Sequence, residues 1–439
     1  MGGWVQRKVI GEKMLKIGLP GKLGTNIKNM NLSRSFTCPY CMREYKLGEA
    51  KYVCPDCKKE VMPSGKPPYK CKCGGLATSR VCKHTKFMHL VNGANNGYGE
   101  EIFFNCDDLP REEDYVKNEK GNISEVTKAP AFELNEIPPQ ALETPNLPFS
   151  IIGVSGSGKT NYITVMLQEL AKSPSLRLAL SAENKATRDH QKENARMIYQ
   201  EHIVPESTES GAKMPQIWCI KNMLRKHGNT VPTYTFTIFD GAGEDHENID
   251  TSSTECRYIN ASKAIILTLD PLILQGVRYG GIVDPETMSN SGGDNGEFKD
   301  AVDVVNSVAN YIKTARGIKA TKMLDIPIAV VLTKFDTILS HPSFASNSVV
   351  KNQSFTSTNG RFNKGEIDQV DAEIRNWLYN IDEAPFIDAL ESNFREFVFF
   401  GVSSYGEPPE NIGQTASHIK PHRVLDPILW LFNKFGFVD

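Results

Sequence analysis

An α/β fold with a mainly parallel six-stranded sheet, preceded by a small metal-binding module, is what this sequence predicts, and three observations predict it. From residue 149 to the end, short apolar runs alternate with helix-compatible stretches, a pattern that argues for a parallel sheet with helices on both faces. A glycine-rich stretch, Gly153 to Thr160, interrupts the first strand and helix pair. Eight of the ten cysteines lie before residue 107, a shift in composition large enough to mark a separate unit. At 439 residues the chain is long enough for two or three domains.

Charge gives little direction. Charged residues make up 23% of the chain and the formal net charge is -2, so no global field favours nucleic acid or membrane and any such partner must be met by a local patch. No run of 18 apolar residues occurs, and the start lacks the apolar core of a signal peptide, so a soluble, cytoplasmic protein is expected. Residues 1–34 carry Arg7, Lys8, Lys13, Lys16, Lys22 and Lys28 and read as a basic, solvated arm.

Residues 35–88 form the second unit. Cys38-Pro-Tyr-Cys41 and Cys54-Pro-Asp-Cys57 are two CxxC knuckles at a separation typical of a zinc ribbon, and Cys71, Cys73, Cys82 and His84 supply four further ligand types. A zinc-ribbon-like module with two Zn²⁺ sites is expected, because about 50 residues cannot bury enough apolar surface without metal. Sequential sites would join Cys38, Cys41, Cys54 and Cys57 in one and Cys71, Cys73, Cys82 and His84 in the other. A cross-braced module would instead pair the first knuckle with the third. Sequential pairing is preferred, since two knuckles already complete a ribbon. Eight lysines between 51 and 86 make the module locally basic, which permits contact with nucleic acid.

Residues 89–148 read as a linker with one short β segment near Ile102 to Phe104, since charged and proline-rich runs dominate. The last domain spans 149–439. Its strands are expected at 149–153, 177–181, 234–240, 264–269, 327–333 and 396–402.

Between the first of these strands and a helix lies GVSGSGKT, a match to GxxxxGK[ST] in the strand-turn-helix setting that makes it a phosphate-binding loop. Gly153, Ser155, Gly156, Ser157 and Gly158 would turn successive backbone N–H groups inward toward an anion. Lys159 would reach the β and γ phosphates, and Thr160 would offer its hydroxyl to Mg²⁺.

The third expected strand ends in Asp240-Gly-Ala-Gly243-Glu244, a DxxG box. Asp240 there would hold the Mg²⁺ shell and the Gly243 N–H would touch a γ phosphate. The fifth ends in Thr333-Lys334-Phe335-Asp336, an [NT]KxD box. A carboxylate at Asp336 can accept from both N1–H and the exocyclic amine of guanine, a pairing adenine cannot offer. Ser403 and Ser404 follow the sixth strand, where a backbone N–H would read guanine O6. GTP or GDP is therefore the expected nucleotide, and an ATP-using kinase or motor leaves Asp336 without a role.

On these boxes the chain resembles the translation-factor-related class of P-loop GTPases over roughly 149–439. The resemblance implies a P-loop GTPase domain, Mg²⁺-dependent GTP hydrolysis, and two conformations that depend on the γ phosphate. Two departures stand out. Glu244 occupies the place where Ras-like members carry a water-orienting glutamine, so hydrolysis would be slow or would use an activating partner's arginine; a GTP-binding scaffold with little turnover is the alternative. The effector loop is also long, about 80 residues from Thr160 to Asp240, and Thr208 is chosen within it as the switch threonine. The zinc module, long effector loop and terminal RVLDPILWLFNKFGF segment further resemble zinc-ribbon-containing double-GTPase proteins of bacterial conflict or defence operons. That likeness implies a protein effector and an antiviral role. Ile428, Leu429, Leu431 and Phe432 are expected to pack a closing helix on the sheet.

Overall fold

The computed structural model describes residues 35–40, 42–46, 51–57, 59–81, 85–89, 104–105, 131–133, 137–153, 156–205, 215–240, 254–283, 300–342, 344–355, 361–408 and 413–438. Its main sheet has seven strands rather than six: β1 (Asn146–Gly153), β2 (Leu178–Ala182), β3 (Gln216–Asn222), β4 (Thr233–Asp240), β5 (Ala264–Leu269), β6 (Ile328–Leu332) and β7 (Phe397–Gly401). They lie in the order β2-β3-β4-β1-β5-β6-β7. The β4-β1-β5-β6-β7 pairs are parallel, while β3 runs antiparallel to both neighbours, so the sheet is mixed but mostly parallel.

The six strands expected from sequence are all present within three residues at either end. The seventh, β3, is QIWCIKN, and it lies inside the stretch read as an effector loop. That stretch is no loop: it also holds β2, the helix α2 (Lys185–Arg196) and a π-helical turn at Met197–Glu201. The strand at 177–181 therefore sits at the sheet edge, with β3 between it and β4. Residues 216–220 are buried throughout, which is the mark of a strand covered on both faces.

Helices cover both faces. One core cluster gathers Val304, Val305, Ile312, Trp377 and Phe386 from α4 (Ala301–Ala315), α5 (Lys364–Asn380) and α6 (Ala384–Asn393) against Ile265, Leu267 and Val330 of the sheet. The other gathers Tyr162, Val165 and Met166 of α1 (Lys159–Lys172) with Leu429 and Phe432 of α7 (Asp426–Lys434) against Phe149, Ile151 and Phe236. The terminal helix thus packs on the sheet as expected; Ile428, Leu429, Leu431 and Phe432 are all buried.

The smaller unit is a set of short hairpins. Ser35–Thr37 pairs with Glu44–Lys46, Lys51–Tyr52 with Arg80–Val81, and Tyr69–Lys70 with Leu76–Ala77. Thr85–His89 pairs with both Phe104–Asn105 and Ala131–Glu133; of the short β segment expected near Ile102 to Phe104, Phe104 lies in this three-stranded sheet and residues 102 and 103 lie outside the described residues. No described helix is long and apolar enough to cross a membrane.

Candidate functional site

The parallel strands β1, β5, β6 and β7 end at one edge of the sheet, where Gly153 stands beside Thr268, Thr268 beside Val331, and Leu332 beside Gly401. Ligands of open α/β sheets bind outside these carboxyl ends. Among the described residues, three of the loops singled out from sequence meet there: the glycine-rich loop, the loop after β6 and the loop after β7.

The glycine-rich loop is fixed by close packing on β5. A Cβ on Gly153 would lie 2.2 Å from Thr268 Oγ1 and 2.4 Å from its carbonyl oxygen, so only glycine fits. The buried Ser157 hydroxyl lies 3.1 Å from Thr268 Oγ1. Gly156 and Gly158 have φ of 75° and 74°, and α1 begins immediately after them with its N–H groups facing the loop. Lys159 Nζ donates to the Gly153 carbonyl at 2.7 Å, which folds the cation back over the loop. Thr160 is half-buried on the first turn of α1. Ser155 lies outside the described residues.

The loop after β6 is bound to the glycine-rich loop through Thr333. Its hydroxyl lies 2.7 Å from the Ser157 carbonyl and 3.1 Å from that of Leu269. This bridge was not foreseen: Thr333 reads in sequence as part of a base-recognition box, and it also braces the glycine-rich loop. Lys334 sits at φ 49°, a left-handed conformation rare for a side-chain-bearing residue, and its Nζ pairs with Asp270 Oδ2 at 2.6 Å. Asp270 ends β5 and is otherwise tied to the Leu272 N–H. No sequence motif marked Asp270; its position after a fully buried strand is the signal that was available.

Burial pushes the Asp336 carboxyl above the usual carboxylate range, opposed by a hydrogen bond from Ser403 and by the charge of Lys334. Ser403 is itself buried, and its Oγ accepts from the Gly406 N–H at 2.7 Å. Ser404 follows, half-buried. Asp240 closes β4 directly beside Ile151 of β1, within reach of the same edge. Thr208, Gly243 and Glu244 lie outside the described residues.

The cysteines group differently from expectation. Cys54, Cys57, Cys71 and Cys73 come together with all four Sγ atoms within 4.8 Å of one another. Cys54 Sγ stands 3.5 Å from Cys73 Sγ, and Cys57 Sγ 3.5 Å from Cys71 Sγ, too far for disulfides and close to the ~3.8 Å edge of a tetrahedron with 2.3 Å metal–sulfur bonds. The Lys59 backbone N–H favours the Cys57 thiolate, but the crowded thiols of Cys73, Cys71 and Cys54 and local burial outweigh it and push Cys57 up to about 12. Four sulfur ligands at this spacing are a donor set suited to a soft divalent cation.

Neither pairing considered from sequence is the one found. The second knuckle joins the Cys71 and Cys73 turn, because Cys71 accepts and donates within its own tight turn (N to Gly75 O at 2.8 Å, Gly74 N to Cys71 O at 3.0 Å) and so presents a knuckle of its own. Cys38 is carried elsewhere, buried with Phe36 and Tyr40 against Ile137 and Ala141, which precede β1, and Ile217 of β3. Cys41, Cys82 and His84 lie outside the described residues.

No family model matches this chain, and no curated protein matches it. Similar solved structures include the signal recognition particle receptor SRb-GTP/SRX complex from Chaetomium thermophilum, 14% identical over 60% of this chain and 93% of that one, with a TM-score of 0.25. The S. cerevisiae Ski7 GTPase-like domain bound to GTP is 14% identical over 66% of this chain and 50% of that one, TM-score 0.27. GDP-bound aIF5B from Aeropyrum pernix is 13% identical over 66% and 36%, TM-score 0.24. At these scores the likenesses carry no weight. A mixed, mostly parallel α/β fold is assigned from this chain's own strand order, its antiparallel strand beside β4, and the loops at its carboxyl edge.

Proposed function

We propose that the chain is a Mg²⁺-dependent GTP-binding and GTP-hydrolysing switch. The observation that carries this reading is the junction of three loops: Thr333 bonded to the backbone of Ser157, Lys334 held to Asp270, and Asp336 held by Ser403. These contacts support reading the glycine-rich loop as a phosphate loop and Asp336 as a reader of guanine.

The roles follow from chemistry. Backbone N–H groups from Gly153 to Thr160 cradle phosphates, and Lys159 leaves the Gly153 carbonyl to meet the β and γ oxygens. Thr160 and Asp240 would hold Mg²⁺, which supplies charge neutralisation at the transferring phosphate. Asp336 accepts from guanine while Lys334 lies along the base, and Ser403 and Ser404 shape the loop at O6. Gly243 is assigned to the γ phosphate, Thr208 to closure over the metal, and Glu244 to the attacking water. A glutamate orients water less well than an amide that can also donate, so turnover is slow until a partner contributes a cation. The same Glu244 supports a second reading, a GTP-binding scaffold with little hydrolysis.

The four clustered cysteines would hold Zn²⁺ and stiffen the small unit, which we assign to recruitment of a protein effector, with nucleic acid through its lysines as a further partner. A role in bacterial defence is the biological setting we favour. Binding of labelled GTP in Mg²⁺, competed with ATP, GDP and xanthine nucleotides and followed by single-turnover hydrolysis, tests the reading. Selective GTP binding with slow turnover is expected. ATP winning the competition, or Lys159→Ala leaving GTP affinity unchanged, would sink it.

A further inference from the structure

The Cys38 knuckle, expected in sequence to complete a zinc ribbon, is instead docked on the larger domain. Tyr40 and Met42, on the turn between Ser35–Thr37 and Glu44–Lys46, are both buried there. Met42 packs on Phe239 and Tyr258, whose rings stack face to face with centroids 4.2 Å apart and planes 7° from parallel. The Tyr258 hydroxyl donates to the Tyr40 carbonyl. On the other side of the turn, Asn184 Nδ2 donates to the Tyr40 hydroxyl at 3.3 Å.

The addresses of these contacts matter more than their number. Phe239 is the residue before Asp240 at the end of β4, and Tyr258 lies on α3 (Thr254–Ala261), the first described helix after the DxxG box. Asn184 caps α2 by accepting from the Thr187 N–H, within the segment joining Thr160 to Asp240. One turn of the small unit therefore touches elements that lead into or out of both stretches assigned to γ-phosphate control, while Thr208, Gly243 and Glu244 themselves lie outside the described residues. The last turn of α3 cannot simply yield: Ser262 bonds Ser150 of β1 at 2.6 Å, and Arg316 donates to Ile259 and Ser262 carbonyls. A displacement at Asp240 is then passed to the stack and its lid rather than absorbed within the helix.

We propose that this turn is an internal reader of nucleotide state, so that γ-phosphate occupancy sets how tightly the cysteine-rich unit is docked on the GTP-binding domain. The inference rests on the GTP reading above. By linkage, the docking contact must in turn shift the ratio of GTP to GDP affinity by the same factor.

Hydrogen exchange of the full-length protein, loaded with GDP or a non-hydrolysable GTP analogue, tests it. The 35–46 peptide is expected to differ about threefold or more in exchange rate between the two states. Tyr258→Phe keeps the ring stack and removes the donor to Tyr40; it should shrink that difference and change the GTP to GDP affinity ratio by about two- to tenfold. Asn184→Ser keeps a helix cap without the amide donor and should act in the same direction should Tyr258→Phe fold poorly. Equal exchange over 35–46 in both states, with the 153–160 peptide responding to nucleotide, would make the knuckle a static plug and overturn the coupling alone. An unresponsive 153–160 peptide would overturn the GTP reading and the coupling together.

Discussion

The hydroxyl of Thr333 lies 2.7 Å from the carbonyl oxygen of Ser157, across 176 residues of sequence. Through this bond the loop after β6, which we assign to the nucleotide base, is tied to the glycine-rich loop, which we assign to its phosphates. Thr333 is buried, and its own N–H is spent on Leu269, so no rearrangement of Thr333 replaces the bond.

Thr333→Val removes the hydroxyl while nearly preserving shape. It leaves the Ser157 carbonyl without this donor, and a loss of about 1–3 kcal/mol in stability is expected, with weaker nucleotide binding. Thermal melting with and without nucleotide checks both; an unchanged melting temperature would show the bond to be incidental.

Asp336 must be ionised to accept from guanine, and burial raises its pKa. Below that pKa the folded protein holds a proton that the unfolded carboxyl, with a pKa of about 4, has released. The sign is then fixed: in the window between the two values the native state binds more protons, so stability falls as pH rises through it. Guanine affinity moves the opposite way and is lost on acidification at a higher pH than an ordinary aspartate would give. A GTP-binding pH profile reads this directly. Asp336→Asn should weaken GTP by about 10- to 100-fold and favour xanthine nucleotide, whose added carbonyl suits an amide donor; equal preference before and after would discredit the assignment.

The cysteine grouping predicts metal stoichiometry. Cys54→Ser and Cys71→Ser should each release the same zinc, and the double variant should lose no more than either single one. Sequential sites would lose two. Metal analysis of the three purified variants distinguishes the outcomes, and a chelator that strips this zinc should expose the 51–81 hairpins to protease because metal binding supplies much of the folding free energy of so small a unit.

Arg423 is almost fully buried and holds two carboxylates, Glu366 at 2.9 Å and Asp426 at 2.8 Å, while donating to the Asn352 carbonyl at 2.8 Å. Burial pushes Asp426 up to about 6 against the pull of this guanidinium. Arg423→Met strands both carboxylates, and a loss of about 3–5 kcal/mol is expected at neutral pH. The loss should shrink on acidification as Asp426 protonates. Denaturant titrations at two pH values measure it. The neighbouring His422 pairs with Ser403, so guanine affinity should drop as well.

How far the sequence could be read depended on how local each signal was. Strand ends at 153, 240 and 269 were legible, and the one expected at 333 falls at 332, because a buried strand is a run of apolar residues closed by a loop; the loops after the strands ending at 153, 240 and 332 also carried a motif. β3 was missed although Ile217, Trp218, Cys219 and Ile220 form such a run. It lies in a stretch that motif order had marked as a loop, and a short apolar run does not declare which elements it will sit between. Asp270 and the Thr333 bridge have no signature, since each works through a partner distant in sequence.

By itself the sequence determined a glycine-rich turn between strand and helix, the order of the strands whose loops we assign to nucleotide, and the presence of a cysteine-rich unit ahead of them. These are properties of short segments, where glycine, apolar periodicity and ligand spacing act within a few residues. Which cysteines share a cluster, and that Tyr40 and Met42 lie on the Phe239–Tyr258 stack, were decided only by tertiary structure. Several pairings of knuckles close loops of similar length at similar entropic cost. The burial of the Cys38 turn against Ile217 and Tyr258, surfaces built from residues more than 170 positions away, selects among them.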